Sequence, residues 1–235
     1  MSDTVLRLDG VQKNYGALRP LRIQSLEVAA GERVALGGFD ALAAEVLVNL
    51  VTGAVLPDEG TVVVFGQATA GISDGDAWFA SLERFGIVSP RAVMLEGSTL
   101  LQNLALPFTL EIDPVPPGLR AQVEQLAADC GIAGEALKMR AGDVPGDVRV
   151  RVHLARALAL DPTLVLIEHP TADVDEAVKT PLAVDLARAI EARQVSAIIV
   201  TLDVEFAGVV AHRSLQLQPA TGALVPWKKT RGWFR

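Results

Sequence analysis

The stretch Ala155-Arg156-Ala157-Leu158-Ala159-Leu160-Asp161-Pro162-Thr163-Leu164-Val165-Leu166-Ile167-Glu168-His169-Pro170-Thr171-Ala172 decides the fold. Its first part continues a helix that already holds His153. Thr163 to Ile167 is then a continuously apolar strand, of the kind buried on both faces of a parallel sheet. The spacing predicts a further helix from about Glu176 to Arg193, after which Ser196-Ala197-Ile198-Ile199-Val200-Thr201 repeats the buried-strand pattern. Strands alternating with helices in this way predict an α/β layered core.

Working back toward the N-terminus, Val5 to Gly10 and Leu21 to Val28 alternate apolar with polar residues, the period of half-buried strands in an antiparallel edge. After a turn at Gly31, Arg33-Val34-Ala35-Leu36 is a short buried strand, and Ala41 to Val51 is an apolar helix rich in helix formers. Pro57-Asp58-Glu59-Gly60 is a turn, and Thr61 to Gly66 is a strand rich in β-branched residues. The first lobe closes near residue 90. Between Ser98 and Ala159 the pattern is mainly helical, broken by the linker Asp113-Pro114-Val115-Pro116-Pro117-Gly118, where proline opposes a regular helix. The expected organisation is one domain over 1-235, with 1-90 and 160-235 as the core lobe and 91-159 as a mainly helical subdomain.

With 235 residues, of which 50% are hydrophobic and 21% charged, the chain has the composition of a packed globular domain. A formal charge of -7 and a sequence pI near 5.0 argue against a nucleic-acid partner, which requires clustered Lys and Arg. Only the tail, with Lys228, Lys229, Arg231 and Arg235 beside Trp227, Trp233 and Phe234, is locally basic. It reads either as a docking element for a membrane-side partner or as a tail folded onto its own domain. The lone Cys130 excludes an internal disulfide framework and reads as an ordinary buried side chain. Met1 to Thr4 shows no secretion signal. Leu160 to Ile167 is far shorter than the ~20 residues that span a bilayer, so no membrane insertion of its own is expected. His153 and His212 read as structural or solvated, His153 on a helix and His212 on a strand, and no set of His, Cys and carboxylates has metal-ligand spacing.

Three stretches together resemble the ATP-binding-cassette (ABC) ATPases, from about Val5 to Val225. Gly10 to Gly16 is similar to the family's opening strand, with Tyr15 as its adenine-stacking aromatic. Gly31 to Leu36, Leu47 to Gly53, Pro57 to Val62 and Gly66 reproduce the frame around its phosphate loop. Ala155 to Pro162, Leu164 to Ile167, Pro170-Thr171-Ala172 and Asp175 resemble its helix, second Walker strand and following loop. The implied fold is a P-loop NTPase-like ABC cassette: a layered α/β core with an antiparallel β edge and a helical subdomain.

Inside that frame the chemistry is altered. The phosphate-loop pattern G-x-x-x-x-G-K-[ST] uses glycine backbone, a lysine cation and a magnesium-binding hydroxyl. The aligned segment is Gly38-Phe39-Asp40-Ala41-Leu42-Ala43-Ala44-Glu45, so Ala44 stands on the lysine and Glu45 on the hydroxyl. Loss of a charge-assisted bond of about 1.5 to 3 kcal/mol weakens binding by roughly one to two orders of magnitude. Asp40, preceding a run of helix formers, is positioned to cap that helix itself. By the resemblance, Glu168 stands on the magnesium-linked aspartate and His169 on the water-activating glutamate. Leu202 stands on the switch histidine, Pro90 or a neighbour on the coupling glutamine, and Val144-Pro145-Gly146-Asp147-Val148 on the signature. There Pro145 has no N–H to offer and Asp147 opposes phosphate.

The resemblance therefore implies a catalytically degenerate cassette. It would act as scaffold or regulator on a transmembrane permease subunit or another ABC cassette, at the cytoplasmic face of the inner membrane. No catalytic residue, metal or cofactor is expected. Two alternatives stand beside it. One is an active or weakly active ATPase that binds ATP through Tyr15 and Gly38 and uses Glu168 and His169 with Mg; the other is a free-standing domain with a new ligand in the old cleft.

Overall fold

The computed structural model describes residues 4–72 and 74–227. The basic and aromatic tail beyond Trp227 lies outside them. Four strands, β1 (Thr4–Lys13), β2 (Leu21–Ala29), β4 (Glu59–Val64) and β5 (Gln67–Ala68), form an antiparallel sheet in the order β2-β1-β4-β5. Six more, β3 (Arg33–Gly37), β6 (Phe85–Val88), β7 (Leu164–Glu168), β8 (Ser196–Val200), β9 (Arg213–Gln218) and β10 (Ala223–Pro226), form a second sheet. Its order is β10-β9-β3-β8-β7-β6, parallel throughout except for the β9–β10 hairpin.

The apolar runs read from the sequence are the central strands of this second sheet, and all five residues of β3, β7 and β8 are buried. Alternate residues serve different layers. Leu164, Leu166, Ile198 and Val200 join a core shared with the antiparallel sheet and with helix α1 (Ala41–Val51). Val165, Ile167, Ala197 and Ile199 point the other way, into a core built with α3 (Leu100–Ala105), α4 (Pro117–Asp129), α5 (Gly146–Leu158), α6 (Glu176–Ala192) and α7 (Val204–Val210). A sheet covered on both faces has no use for polar alternation, which is why these strands are apolar without a break.

Three local readings need correction. Proline does not bar helix through Gly118. Pro117 is the first residue of α4, where its missing N–H has no intrahelical acceptor to lose and its fixed φ suits the first turn. His212 precedes β9 rather than lying on it, and its Nδ1 accepts a 3.1 Å hydrogen bond from the backbone N–H of Arg33. The helix α2 (Gly75–Leu82) is absent from the sequence reading because it buries no residue and so shows no apolar stripe. Its N-terminus is capped by Asp74, which accepts from Ala77 N at 2.8 Å.

Cys130 is fully buried at the end of α4, and burial pushes its thiol up to about 12, so it stays a neutral packing group. Among the described residues no helix is long and apolar enough to cross a membrane, and no cluster of His, Cys, Asp and Glu is arranged to hold a metal ion.

Candidate functional site

The site lies where β3 leaves the sheet and turns into α1. Gly38 makes that turn at φ +84°, a conformation that favours glycine. The turn is packed from behind. A Cβ added at Gly37 would lie 2.5 Å from Gln216 Oε1 and 2.8 Å from the Trp227 ring. One added at Gly38 would lie 2.6 Å from Gln216 Nε2 and 2.9 Å from the Leu217 carbonyl. Phe39 is fully buried and anchors the loop in the core beneath it.

Asp40 is the N-cap of α1: its backbone is extended and its Oδ1 accepts from Ala43 N at 2.8 Å. A carboxylate here satisfies one of the free N–H groups of the first turn and meets the positive end of the helix dipole. Tyr15, half-buried in the segment after β1, is within electrostatic reach. Burial first, and the Asp40 charge second, raise its phenol above the ordinary value. Ala44 faces the core with no exposed surface.

Glu45, one residue further along α1, is partly exposed and lies 3.4 Å from Arg91 Nη1 through its Oε2. Arg91 follows β6, with its backbone N–H donating to Ser89 Oγ at 3.2 Å. Its Nη2 donates to both oxygens of Glu168 at 2.8 Å. Glu168 ends β7 and is almost completely buried. One guanidinium thus joins the two glutamates that sequence reading placed at metal-binding positions. Arg91, next to Pro90, has no role in the sequence reading. The available signal was one of charge: two acids at adjoining motif positions require a cation nearby.

His169 follows with φ +42°, and its backbone N–H donates to Val200 O at 2.8 Å. Its buried Nε2 has no hydrogen-bond partner among the described residues. Together with Glu168, Ser89, Arg149, His153 and Gly146 it lines a cavity of about 140 Å³. Leu202 is not brought there. It is 68% exposed and lines a separate open depression of about 460 Å³ with Thr171, Ala172 and Asp203.

The segment Val144 to Val148, aligned with the signature by resemblance, leads into α5. Pro145 is its N-cap and contributes no side-chain bond. Asp147 is held away from an open anion-repelling role by Arg151, whose Nη1 lies 2.6 Å from it while Nη2 lies 2.9 Å from Asp185. Arg151 is buried, so this pairing of two helices is part of the interior.

His153, on the same helix, is buried, and desolvation, with smaller contributions from Arg156 and Arg149, lowers its pKa to about 4. It therefore stays neutral in the fold while the unfolded chain takes up a proton near pH 6.5. Stability from this residue is present above the unfolded value and is lost as pH falls from about 6.5 toward 4. At pH 5 the loss amounts to about 2 kcal/mol. Urea denaturation at pH 7 and pH 5 should show this slope, and His153→Gln should flatten it; an unchanged slope in the variant would remove His153 as its cause.

The arrangement of a mainly parallel sheet, an antiparallel edge and a helix springing from the central strand through a glycine turn defines a P-loop NTPase-like cassette. The model of the ABC transporter family matches residues 21–172. A lipoprotein-releasing system ATP-binding protein, LolD, from Maricaulis maris is 31% identical over 212 residues, covering 88% of this chain and 92% of that protein. The phosphonates import ATP-binding protein PhnC from Anaeromyxobacter dehalogenans is 34% identical over 80% of this chain. The chain spans only 39% of PhnC and 53% of the iron import protein FbpC from Mesorhizobium japonicum. Among solved structures, the ATP-binding cassette MJ0796 in a dimeric state bound to ADP and Pi superposes with TM-score 0.73 at 21% identity, covering 97% of this chain and all of that one. CbiO1 from Clostridium perfringens superposes with TM-score 0.76 at 17% identity, over 95% and 87% of the two chains. The chain belongs to the ABC transporter family.

Proposed function

We propose that this chain is a cassette subunit of a membrane transport complex that no longer turns over ATP and works as a scaffold or regulator. The observation that carries this reading is the Asp40 carboxylate seated on the first turn of α1, 2.8 Å from Ala43 N. A helix N-terminus offers its dipole and free N–H groups to one anion at a time, and here the anion belongs to the chain. The other groups fit a magnesium nucleotide no better. Ala44 supplies no cation, and Glu45 and Glu168 are engaged by Arg91.

A partner surface supports the scaffold role. A groove of about 410 Å³ runs beside α5, lined by Phe85, Ile87, Leu106, Pro107, His153 and Leu160. Ile87 and Leu160 are exposed in it, 42% and 61%, as befits an apolar docking face. We assign it to a transmembrane permease subunit or to an active cassette at the cytoplasmic face of the inner membrane, in keeping with relatives named as ATP-binding proteins of transport systems. The competing reading is an active or weakly active ATPase, favoured by the position of Tyr15 beside the loop and by the glycine turn at Gly38.

Calorimetric titration with ATP and magnesium separates the two. The expected result is no binding tighter than about 100 μM; a tighter constant, accompanied by phosphate release, ends the scaffold proposal. A companion prediction concerns Asp40. Removing the cap in Asp40→Ala costs about 1 kcal/mol in urea denaturation. Asp40→Ser keeps a capping oxygen and loses the charge, so it retains most of that stability and binds inorganic phosphate more tightly than the parent. Equal phosphate affinity in the two proteins would mean that Asp40 does not compete with an anion.

A further inference from the structure

Arg91 bridges three separate segments: the loop after β6 that contains it, helix α1 through Glu45, and the end of β7 through Glu168. The Glu168 side chain is 1% exposed, against 39% for Glu45 and 45% for Arg91. A carboxylate so buried requires a positive partner, and among the described residues Arg91 is the one ion-paired with it. Two carboxylates from different elements converging on one cation are also the donor type that hard divalent cations take. A fork of N–H donors spanning both oxygens of Glu168 satisfies them bidentately.

We infer that Arg91 is a tethered counter-ion occupying the place between Glu45 and Glu168 that a divalent metal would otherwise fill, so the chain neutralises this cleft itself and is indifferent to metal. The disagreement with the family's magnesium requirement is thus built into the fold by a side chain, rather than by simple loss of ligands. The pairing also ties the loop after β6 to the cleft. Ala92, next along that loop, lines both the docking groove and the small cavity, so the counter-ion fixes the shape of the surface a partner meets. The inference deepens the degenerate reading above and rests on it for the meaning of the two glutamates, but it is tested without nucleotide.

The test is thermal unfolding of the whole chain in chelator and in millimolar magnesium or manganese. The parent midpoint is expected not to move with metal. Arg91→Ala exposes the two carboxylates to each other and acquires a cation site, so its midpoint rises with metal by on the order of 3 °C, and the rise disappears when Glu45→Gln is added. Arg91→Lys keeps a tethered charge and stays insensitive to metal. An equal metal response in parent and Arg91→Ala overturns the inference, as does a folded Arg91→Ala with no response. If Arg91→Ala folds only with metal present, the inference stands. If it folds in neither condition, manganese binding by the parent decides: none supports the tethered cation, and binding lost in Glu45→Gln overturns it. A parent that binds ATP tightly yet ignores metal alone would end the proposed function and leave this inference standing.

Discussion

Gly146→Ala is expected to lower the unfolding free energy by about 3 kcal/mol, the upper range for forcing an extra methyl into a packed interior. The reason is local. A Cβ built on Gly146 would sit inside the van der Waals envelope of the Asp173 carbonyl oxygen, 2.9 Å from the carbonyl carbon and 3.7 Å from the Val174 side chain. Backbone lies on both sides of this contact, so no rotamer change relieves it. Either the first turn of α5 or the loop between β7 and α6 must move, and the first of these carries the Asp147–Arg151–Asp185 pairing into α6. Gly208→Ala is the control. It lies inside α7 with nothing within 4 Å of the added atom, and alanine there is expected to be neutral or to stabilise by about 0.5 kcal/mol through helix propensity. Urea denaturation of the two variants checks both values. A Gly146→Ala protein as stable as its parent would mean that α5 and the Asp173 loop do not approach as closely as described. The expected result also gives Gly146 a packing role: its place is set by the close approach of the Asp173 carbonyl.

Arg91→Ala is expected to cost about 3 kcal/mol at neutral pH without added metal. Breaking a buried ion pair from one side costs about 3 to 5 kcal/mol, because the remaining charge is left uncompensated. The lower end applies because Arg91 is 45% exposed and water screens part of its field, whereas Glu168 stays 1% exposed. Glu168→Gln in the same background should recover most of the loss, since a neutral amide has no charge to strand. The reciprocal variant Glu168→Gln with Arg91 intact should cost far less than Arg91→Ala, because the exposed guanidinium can turn to solvent and to Glu45. The double-mutant cycle is the decisive measurement. If Arg91→Ala loses less than about 1 kcal/mol, the buried carboxylate is not held by this arginine.

Much of the frame was legible before any coordinates. Helix α1 runs from Ala41 to Val51 as its apolar content implied, and Asp40 caps it as its side-chain chemistry implied. The strands β7 and β8 were readable because burial on both faces leaves an unbroken apolar run. Elements defined by something other than burial were missed. Helix α2 is held by its cap and by Trp78 Nε1 donating to Thr52 O at 3.0 Å, neither of which leaves a periodic trace. In the site, the positions of Glu45 and Glu168 were legible from flanking motifs, but their common partner was not. Arg91 and Glu168 are 77 positions apart, and nothing in local spacing connects a loop residue to the end of a distant strand. The Asp147–Arg151 pair lies within one helix at i,i+4 spacing, whereas the second acid on Arg151, Asp185, comes from α6 and has no trace in local spacing.

The strand order has a consequence for how the molecule is made. β3, whose five residues are all buried, pairs on one side with β8, Arg33 opposite Ala197, and on the other with β9, Val34 opposite Arg213. A ribosome delivers neither neighbour until long after β3: β3 ends at Gly37, whereas β8 begins at Ser196 and β9 at Arg213. At about 5 to 20 residues per second, the strand that launches the glycine turn waits on the order of ten seconds with both edges open. The glycine turn after β3 is therefore completed only once β8 and β9 have been made, and a chain cut before Ser196 would present an unpaired apolar strand to its surroundings.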